Sequence, residues 1–322
     1  MIPRRRLGTS DLEVSVVGLG GNTFGPPRLD EAETARVISA ALDHGVNFVD
    51  TALLYGQGQS EEFIGKALGS RRDEMIIATK YHFFDLGDEA PADRVTGHVE
   101  ESLRKLNTDR IDLLQVHFPN PDVPAADLMA ALAALVGEGK VRALGACNYA
   151  GWRLAEAEFV AKELGVPGFA TTQNYYNLLA RSVEAEVAPF CREYRLSILP
   201  YHPLAGGFLT GKYKRGEPAP EGSRGAAGSP IIGAVSTAAN YDRIESLESF
   251  ARDHSRGINE LAIAWLLSNK LVGSVIAGVS NTEQLAQNAA ASSWDLGDDD
   301  LTSIEEIVGG TSHLDPERPP YL

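Results

Sequence analysis

Asp50, Tyr55, Lys80 and His117 are the residues whose types and spacing in this chain could do chemistry together. A tyrosine hydroxyl ionises near pH 10 in water, so to move a proton near neutrality it needs a neighbouring cation that stabilises phenolate. Lys80 can be that cation. A lysine held charged in an apolar setting needs a carboxylate, and Asp50 supplies one. His117 can donate a hydrogen bond to a substrate oxygen and fix its position. The set suits proton transfer at an oxygen, and it contains no hydrolytic nucleophile. Each member also has a plainer reading: Asp50 as a turn cap, Tyr55 as loop packing, Lys80 as a strand-end charge, His117 as a hydrogen-bonded core histidine. Their joint placement favours the site.

That placement comes from the elements before them. The runs at 46–49, 75–79 and 111–116 are rich in β-branched or large apolar residues, as strands buried on both faces should be. Asp50, Lys80 and His117 then fall at the ends of three such strands, with Tyr55 five residues into the second loop. A hairpin with turn residues 8–11 comes first. From residue 16 onward, strands are expected at 16–19, 47–50, 75–79, 111–116, 143–147, 170–174, 197–201 and 274–276. Helices are expected at 31–44, 60–68, 92–106, 125–136, 152–164, 183–194, 239–254, 259–268 and 282–291, with a last surface helix at 298–308. Strand and helix alternating eight times predict an α/β fold, the (β/α)8 or TIM barrel, as one domain over 1–322, plugged at its bottom by the hairpin. In barrels of this kind the active groups sit at the C-terminal ends of the strands. The glycines at 18, 20 and 21 lack the third glycine of a Rossmann fingerprint, so a dinucleotide would have to bind in another way.

With 43% apolar and 23% charged residues, the 322-residue chain has the composition of a soluble globular protein, and no apolar run is long enough to span a membrane. A net charge of −15 argues against nucleic acid and anionic membrane as partners. Cys147 and Cys191 have no metal-ligand spacing, and the basic start lacks an apolar signal core. A reducing, cytoplasmic location without disulfides is expected. Against the acidic background, Lys212, Lys214, Arg215 and Arg224 cluster within the segment 202–238, which has no clear period and is rich in Gly, Pro and Ser. At that length it reads as a lid or as disordered, and a loop folding positive charge over an anionic ligand would explain both features.

These residues carry a resemblance: the chain is similar to the aldo-keto reductases. The motifs are Val17-Gly18-Leu19-Gly20, Phe48-Val49-Asp50-Thr51-Ala52-Leu53-Leu54-Tyr55-Gly56, Ala78-Thr79-Lys80, Gln115-Val116-His117, Gly145-Ala146-Cys147-Asn148 and Gln173-Asn174-Tyr175, in the family's order. Through residues 201–213 and 278–284 it most resembles the branch holding bacterial reductases and potassium-channel beta subunits. The resemblance implies hydride transfer between a nicotinamide and a carbonyl carbon, with Tyr55 as general acid, Asp50 and Lys80 tuning it, and His117 orienting the carbonyl. It also implies the cofactor contacts. Asn148 and Gln173 would meet the carboxamide, Tyr201 would stack on the nicotinamide, and Asn22 and Thr23, with Asp50 nearby, would meet its ribose. Leu204, Gly206, Lys212 and Arg224 would lie along the pyrophosphate, Gly278, Ser280 and Gln284 around the 2′-phosphate, and Asn288 at the adenine. Many members carry Lys and Arg where this chain has Gly278 and Gln284, so NADP(H) is favoured and NAD(H) is admitted.

An apolar substrate rim is expected from Phe24, Leu54, Tyr81, Phe83, Phe118 and Tyr149, which follow strand ends; residues 311–322 are expected to add little to it. The expected partner is a small carbonyl compound, and a homo-oligomer is allowed. Two rivals stand beside this reading. One is a hydrolase with a metal on His82, His117 and His202, which leaves Tyr55 and Lys80 unexplained. The other is a nicotinamide-binding redox-sensing regulatory subunit with little turnover, which would keep the same cofactor residues.

Overall fold

The computed structural model of the protein describes residues 2–82 and 90–309; Phe83 and the tail lie outside that range. The hairpin forms first, from β1 (Arg4–Arg6) and β2 (Glu13–Ser15), paired antiparallel. Eight parallel strands follow: β3 (Val17–Gly20), β4 (Phe48–Asp50), β5 (Ile76–Tyr81), β6 (Ile111–Val116), β7 (Val141–Cys147), β8 (Thr171–Tyr175), β9 (Ser197–Tyr201) and β10 (Val275–Gly278). They pair in the order β10, β3, β4 and so on to β9. The sheet curls until its end strands meet at a bridge between Ile198 and Val272, just before β10, where Gly273 N donates to Ile198 O at 2.9 Å. This is the expected (β/α)8 barrel, nearly closed.

Helices α1 (Glu31–Asp43), α2 (Ser60–Leu68), α3 (Pro91–Leu106), α4 (Ala125–Gly137), α5 (Gly151–Leu164) and α6 (Val187–Tyr194) alternate with the strands. After β9 come α7 (Pro230–Val235), α8 (Ala238–Asp253) and α9 (Ile258–Ser268), and after β10 come α10 (Thr282–Ala290) and α11 (Asp298–Val308). Their starts follow side-chain chemistry: Asp30 and Glu33 make a capping box on α1, and Asn281 accepts from Gln284 N to start α10. None of the described helices is long and apolar enough to cross a membrane.

The hairpin closes the bottom. Leu7, Leu12 and Val14 are buried in one cluster with the inward residues Phe48, Ala78, Leu113, Ala143, Leu199 and Ile276. The Arg5 guanidinium ties it down by donating to the carbonyls of Leu267 (2.8 Å), in the last turn of α9, and Val272 (2.6 Å), just past it.

Three expectations change. The parallel ladder with β6, in which Lys80 pairs with Gln115 and Tyr81 with Val116, carries β5 to Tyr81, so Lys80 lies inside a strand and not beyond it. The helix expected over 183–194 breaks: Ser182–Glu184 is a 3-10 turn and α6 starts at Val187. Pro189 accounts for this, since it is tolerated in a first turn but would interrupt a helix running through from 183. The segment 202–238 is a packed strap. It holds a 3-10 stretch, Ala205–Thr210, and α7, and it buries Phe208, Leu209, Tyr213, Ile231, Ile232 and Val235. Its anchors are spaced irregularly because Gly206, Gly207 and Gly211 turn the chain at positive φ, which erases any period.

Candidate active site

At the C-terminal end of the barrel, strands β4 and β5 bring Asp50 and Lys80 into contact. Lys80 Nζ donates to Asp50 Oδ2 at 2.6 Å and to Thr51 O at 2.9 Å, with side chains 0% and 4% exposed. The other carboxylate oxygen, Asp50 Oδ1, accepts from Gln115 Nε2 at 2.9 Å and Gln173 Nε2 at 2.8 Å. Burial by itself opposes the lysine's charge, but the charge and hydrogen bond of Asp50 outweigh it and raise the Lys80 pKa. Lys80 therefore keeps its charge, and its ion pair with Asp50 is the electrostatic floor of the site.

Tyr55 stands over it, with Lys80 Nζ 5.0 Å from the ring centroid. The turn Tyr55–Gly58 is held against the first loop by Gly56, whose positive φ suits glycine and whose Cβ, if present, would collide with Phe24 O. Burial raises the Tyr55 pKa, and Asp50 adds to the rise, while Lys80 opposes it by charge and by hydrogen bond. The net result is a hydroxyl that keeps its proton at neutral pH with an ammonium ready to stabilise its loss. His117 follows β6, edge-on to Tyr55 at 5.8 Å and stacked on Phe118 at 4.5 Å. Burial, then Lys80 and His82, hold its pKa well below the usual histidine value, so the ring is neutral. Its buried Nδ1 has no hydrogen-bond partner among the described residues.

These four residues meet, and three of them, Asp50, Tyr55 and His117, line one cavity of ≈ 240 Å³ with Asn22, Phe118, Cys147, Asn148, Gln173 and Tyr201. The amides sequence reasoning placed near a carboxamide already have protein partners. Asn148 Nδ2 donates to His117 O (3.0 Å), Asn148 Oδ1 accepts from Tyr201 Oη (2.6 Å), and Gln173 serves Asp50. An amide oxygen has a second lone pair and an amide nitrogen a second hydrogen, so further contacts remain open to both.

A second cavity of ≈ 450 Å³ continues from the first, the two sharing His202, Pro203, Arg224 and Gly278. Thr23, Leu204, Gly206, Lys212, Ser280, Gln284 and Asn288 line it, under the strap. Three cationic side chains and one carboxylate, Glu221, line this trough, so its wall carries net positive charge of the kind that phosphate groups need. Where the two cavities share Gly278, a Cβ would stand 2.8 Å from Asn22 Oδ1, so a larger residue there would intrude. Lys212 and Arg224 bring positive charge to the same wall, as does Arg28, which sequence reasoning missed because it lies beyond the first-loop motif. Gln284 Oε1 accepts from Ser280 N at 2.8 Å, and the Thr23 hydroxyl donates to Val279 O at 2.8 Å, so both also brace the loops they sit on.

The substrate rim differs from expectation. Phe118 lines the cavity. Phe24 and Tyr81 are fully buried in the core, Tyr149 is buried edge-on against Phe169, and Leu54 is exposed outside the lining. Following a strand end does not decide which way a ring turns. Cys147, not singled out from sequence, lines the cavity floor; burial pushes its thiol up to about 12, so it is not a thiolate. Of the three histidines of the metal reading, His82 packs on His98 at 5.1 Å, while His117 and His202 both line the cavity, His202 edge-on to Tyr201 at 5.5 Å. Among the described residues no three His, Cys, Asp or Glu side chains are grouped as metal ligands.

Comparison with known proteins gives a match of residues 16–308 to the model of the Aldo/keto reductase family. The uncharacterized oxidoreductase YrpG of Bacillus subtilis is 32% identical, covering 97% of each chain. The aldo-keto reductase YhdN of the same organism is 31% identical over 98% of this chain and 96% of its own. A putative voltage-gated potassium channel subunit beta of Schizosaccharomyces pombe is 32% identical over 96% of this chain and 94% of its own.

Proposed function

This chain belongs to the aldo/keto reductase family of oxidoreductases, and on that premise we propose that it reduces an aldehyde or ketone to the alcohol, reversibly, with NADP(H) favoured as cofactor and NAD(H) admitted. The observation that carries this reading is a tyrosine hydroxyl poised over a buried Lys80–Asp50 ion pair on the wall of a cavity that runs on into a cationic trough. When bound, the nicotinamide supplies the hydride that goes to the carbonyl carbon. Asn22, Asn148, Gln173 and Tyr201 would hold its reactive end, and Lys212 and Arg224, with Arg28 nearby, its phosphates.

Tyr55 gives its proton to the carbonyl oxygen as negative charge grows there, and Lys80 stabilises the phenolate left behind. Asp50 keeps Lys80 charged throughout. Neutral His117 orients the carbonyl by hydrogen bond and, being uncharged, does not compete with Tyr55 as an acid. Burial of the Lys80–Asp50 pair lowers the local dielectric, which strengthens each of these interactions. In the reverse direction the Tyr55 phenolate takes the alcohol proton.

NADPH oxidation, followed with a panel of aromatic aldehydes and quinones in the presence of chelator, tests this. Turnover on at least one carbonyl is expected. Tight NADPH binding with no turnover on any would move the protein to a redox-sensing regulatory role, and no binding of either cofactor would end both readings.

A further inference from the structure

Asp50 Oδ1 receives two amide donors, and one of them, Gln115, is not explained by the chemistry above. Its Nε2 stands 2.9 Å from Oδ1, beside Gln173 Nε2 at 2.8 Å, and Gln173 Nε2 also approaches Gln115 Oε1 at 3.5 Å. An ionised carboxylate only accepts, so each amide must turn its nitrogen toward it. Gln115 is wholly buried, opposite Lys80 in the ladder with β5 and opposite Gly145 in the ladder with β7. A Cβ at Gly145 would stand 3.0 Å from Gln115 Cγ, so β7 leaves little more room than the side chain fills. Unlike Gln173, Gln115 does not line the cavity. It touches Asp50 and not what the cavity holds.

We propose that Gln115 is a positioning residue for proton transfer. By filling Oδ1 it holds the carboxylate with Oδ2 turned to Lys80, and so keeps Lys80 charged beneath Tyr55. A buried ion pair persists only when its remaining lone pairs are satisfied, and Gln173, whose amide is open to the cavity, cannot be relied on alone for that. The titratable groups near this spot are Asp50 from β4, Lys80 from β5, Cys147 from β7, and Tyr55 and His117 from the loops; from β8 it is the neutral Gln173 that reaches Asp50, with Tyr175 two residues further along the strand. The inference rests on the reductase reading.

Two variants test it. Gln115→Leu keeps the approximate volume and removes the donor; kcat should fall about tenfold while the NADPH Kd and the substrate KM stay within about twofold. Gln115→Glu introduces a carboxyl that can donate to Asp50 only while protonated, and two carboxyls sharing one site raise the pKa of one of them. Its kcat should therefore decline between about pH 5 and about pH 8 where wild type does not, and its Tm relative to wild type should decline over the same range. Wild-type kcat in Gln115→Leu, or a wild-type pH dependence in Gln115→Glu, overturns the proposal. Absence of turnover in the wild type would defeat the reductase reading instead, and the Tm slope of Gln115→Glu would still decide whether Gln115 serves the Asp50 charge.

Discussion

Replacing Lys80 by methionine removes the ammonium and keeps most of the side chain's volume. With Lys80 and Asp50 side chains 0% and 4% exposed, the methionine fills the space the ammonium leaves and puts an apolar group against the carboxylate. The variant loses the 2.6 Å bond to Asp50 and the 2.9 Å bond to Thr51 O, and it leaves the carboxylate with only the two neutral amides of Gln115 and Gln173. Removing one partner of a buried pair costs about 3–5 kcal/mol, mostly from the stranded charge. At an unfolding entropy of roughly 2.1 cal/mol/K per residue, a loss of about 4 kcal/mol lowers Tm of a chain this long by about 6 °C. Adding Asp50→Asn removes the stranded charge, so the double variant should be about 2 kcal/mol more stable than Lys80→Met alone. Urea unfolding of wild type, both single variants and the double variant, followed by circular dichroism, reads these differences as midpoint shifts at constant m. The pH dependence has a definite sign. Although burial opposes it, Asp50 raises the folded pKa of Lys80, so the pair's contribution is complete below the unfolded value near 10.4 and is lost only as pH rises through the higher folded value. The gap between wild type and Lys80→Met should be flat from about pH 7 to about pH 9. A Lys80→Met variant within about 1 kcal/mol of wild type, or a double variant showing only the sum of the single losses, would refute a buried, coupled ion pair.

Gly278→Val should displace Asn22 from the wall of the first cavity and raise the NADPH Kd about tenfold; an unchanged Kd in a titration of cofactor fluorescence would place the cofactor elsewhere. Lys212→Ala and Arg224→Ala should each weaken NADPH by about tenfold or more and flatten the salt dependence of Kd, and salt-independent binding in the wild type would contradict a charged trough. Burial depresses the pKa of His117 well below the usual value and that of His202 to about 3, the latter with help from Arg224. The unfolded chain then binds more protons than the folded one, so Tm should fall as pH drops below about 6.5, and less steeply in His202→Gln.

The site was legible where chemistry coincides with a strand end. Asp50, Lys80 and His117 stand at or next to the ends of apolar runs of the kind buried strands carry, and Tyr55 needed one turn more. The barrel was legible for the same reason, because buried parallel strands and amphipathic helices carry different periods. Gln115 was not, since a single polar residue inside an apolar run gains its meaning only from the register that sets it between Lys80 and Gly145. The strap was not legible either: its buried anchors are spaced by glycine turns and not by a helical or strand period. Nor were the rim residues, because Phe24, Tyr81 and Tyr149 are as apolar as a pocket wall and as apolar as a core, and only packing separates the two.

The most direct measurement pairs binding and turnover in Tyr55→Phe. NADPH affinity, read by fluorescence titration, should stay within about twofold of wild type, while kcat on the best carbonyl of the panel falls by ~10²–10⁴. A Tyr55→Phe variant that binds NADPH and turns over within about threefold of wild type would contradict Tyr55 as the proton donor.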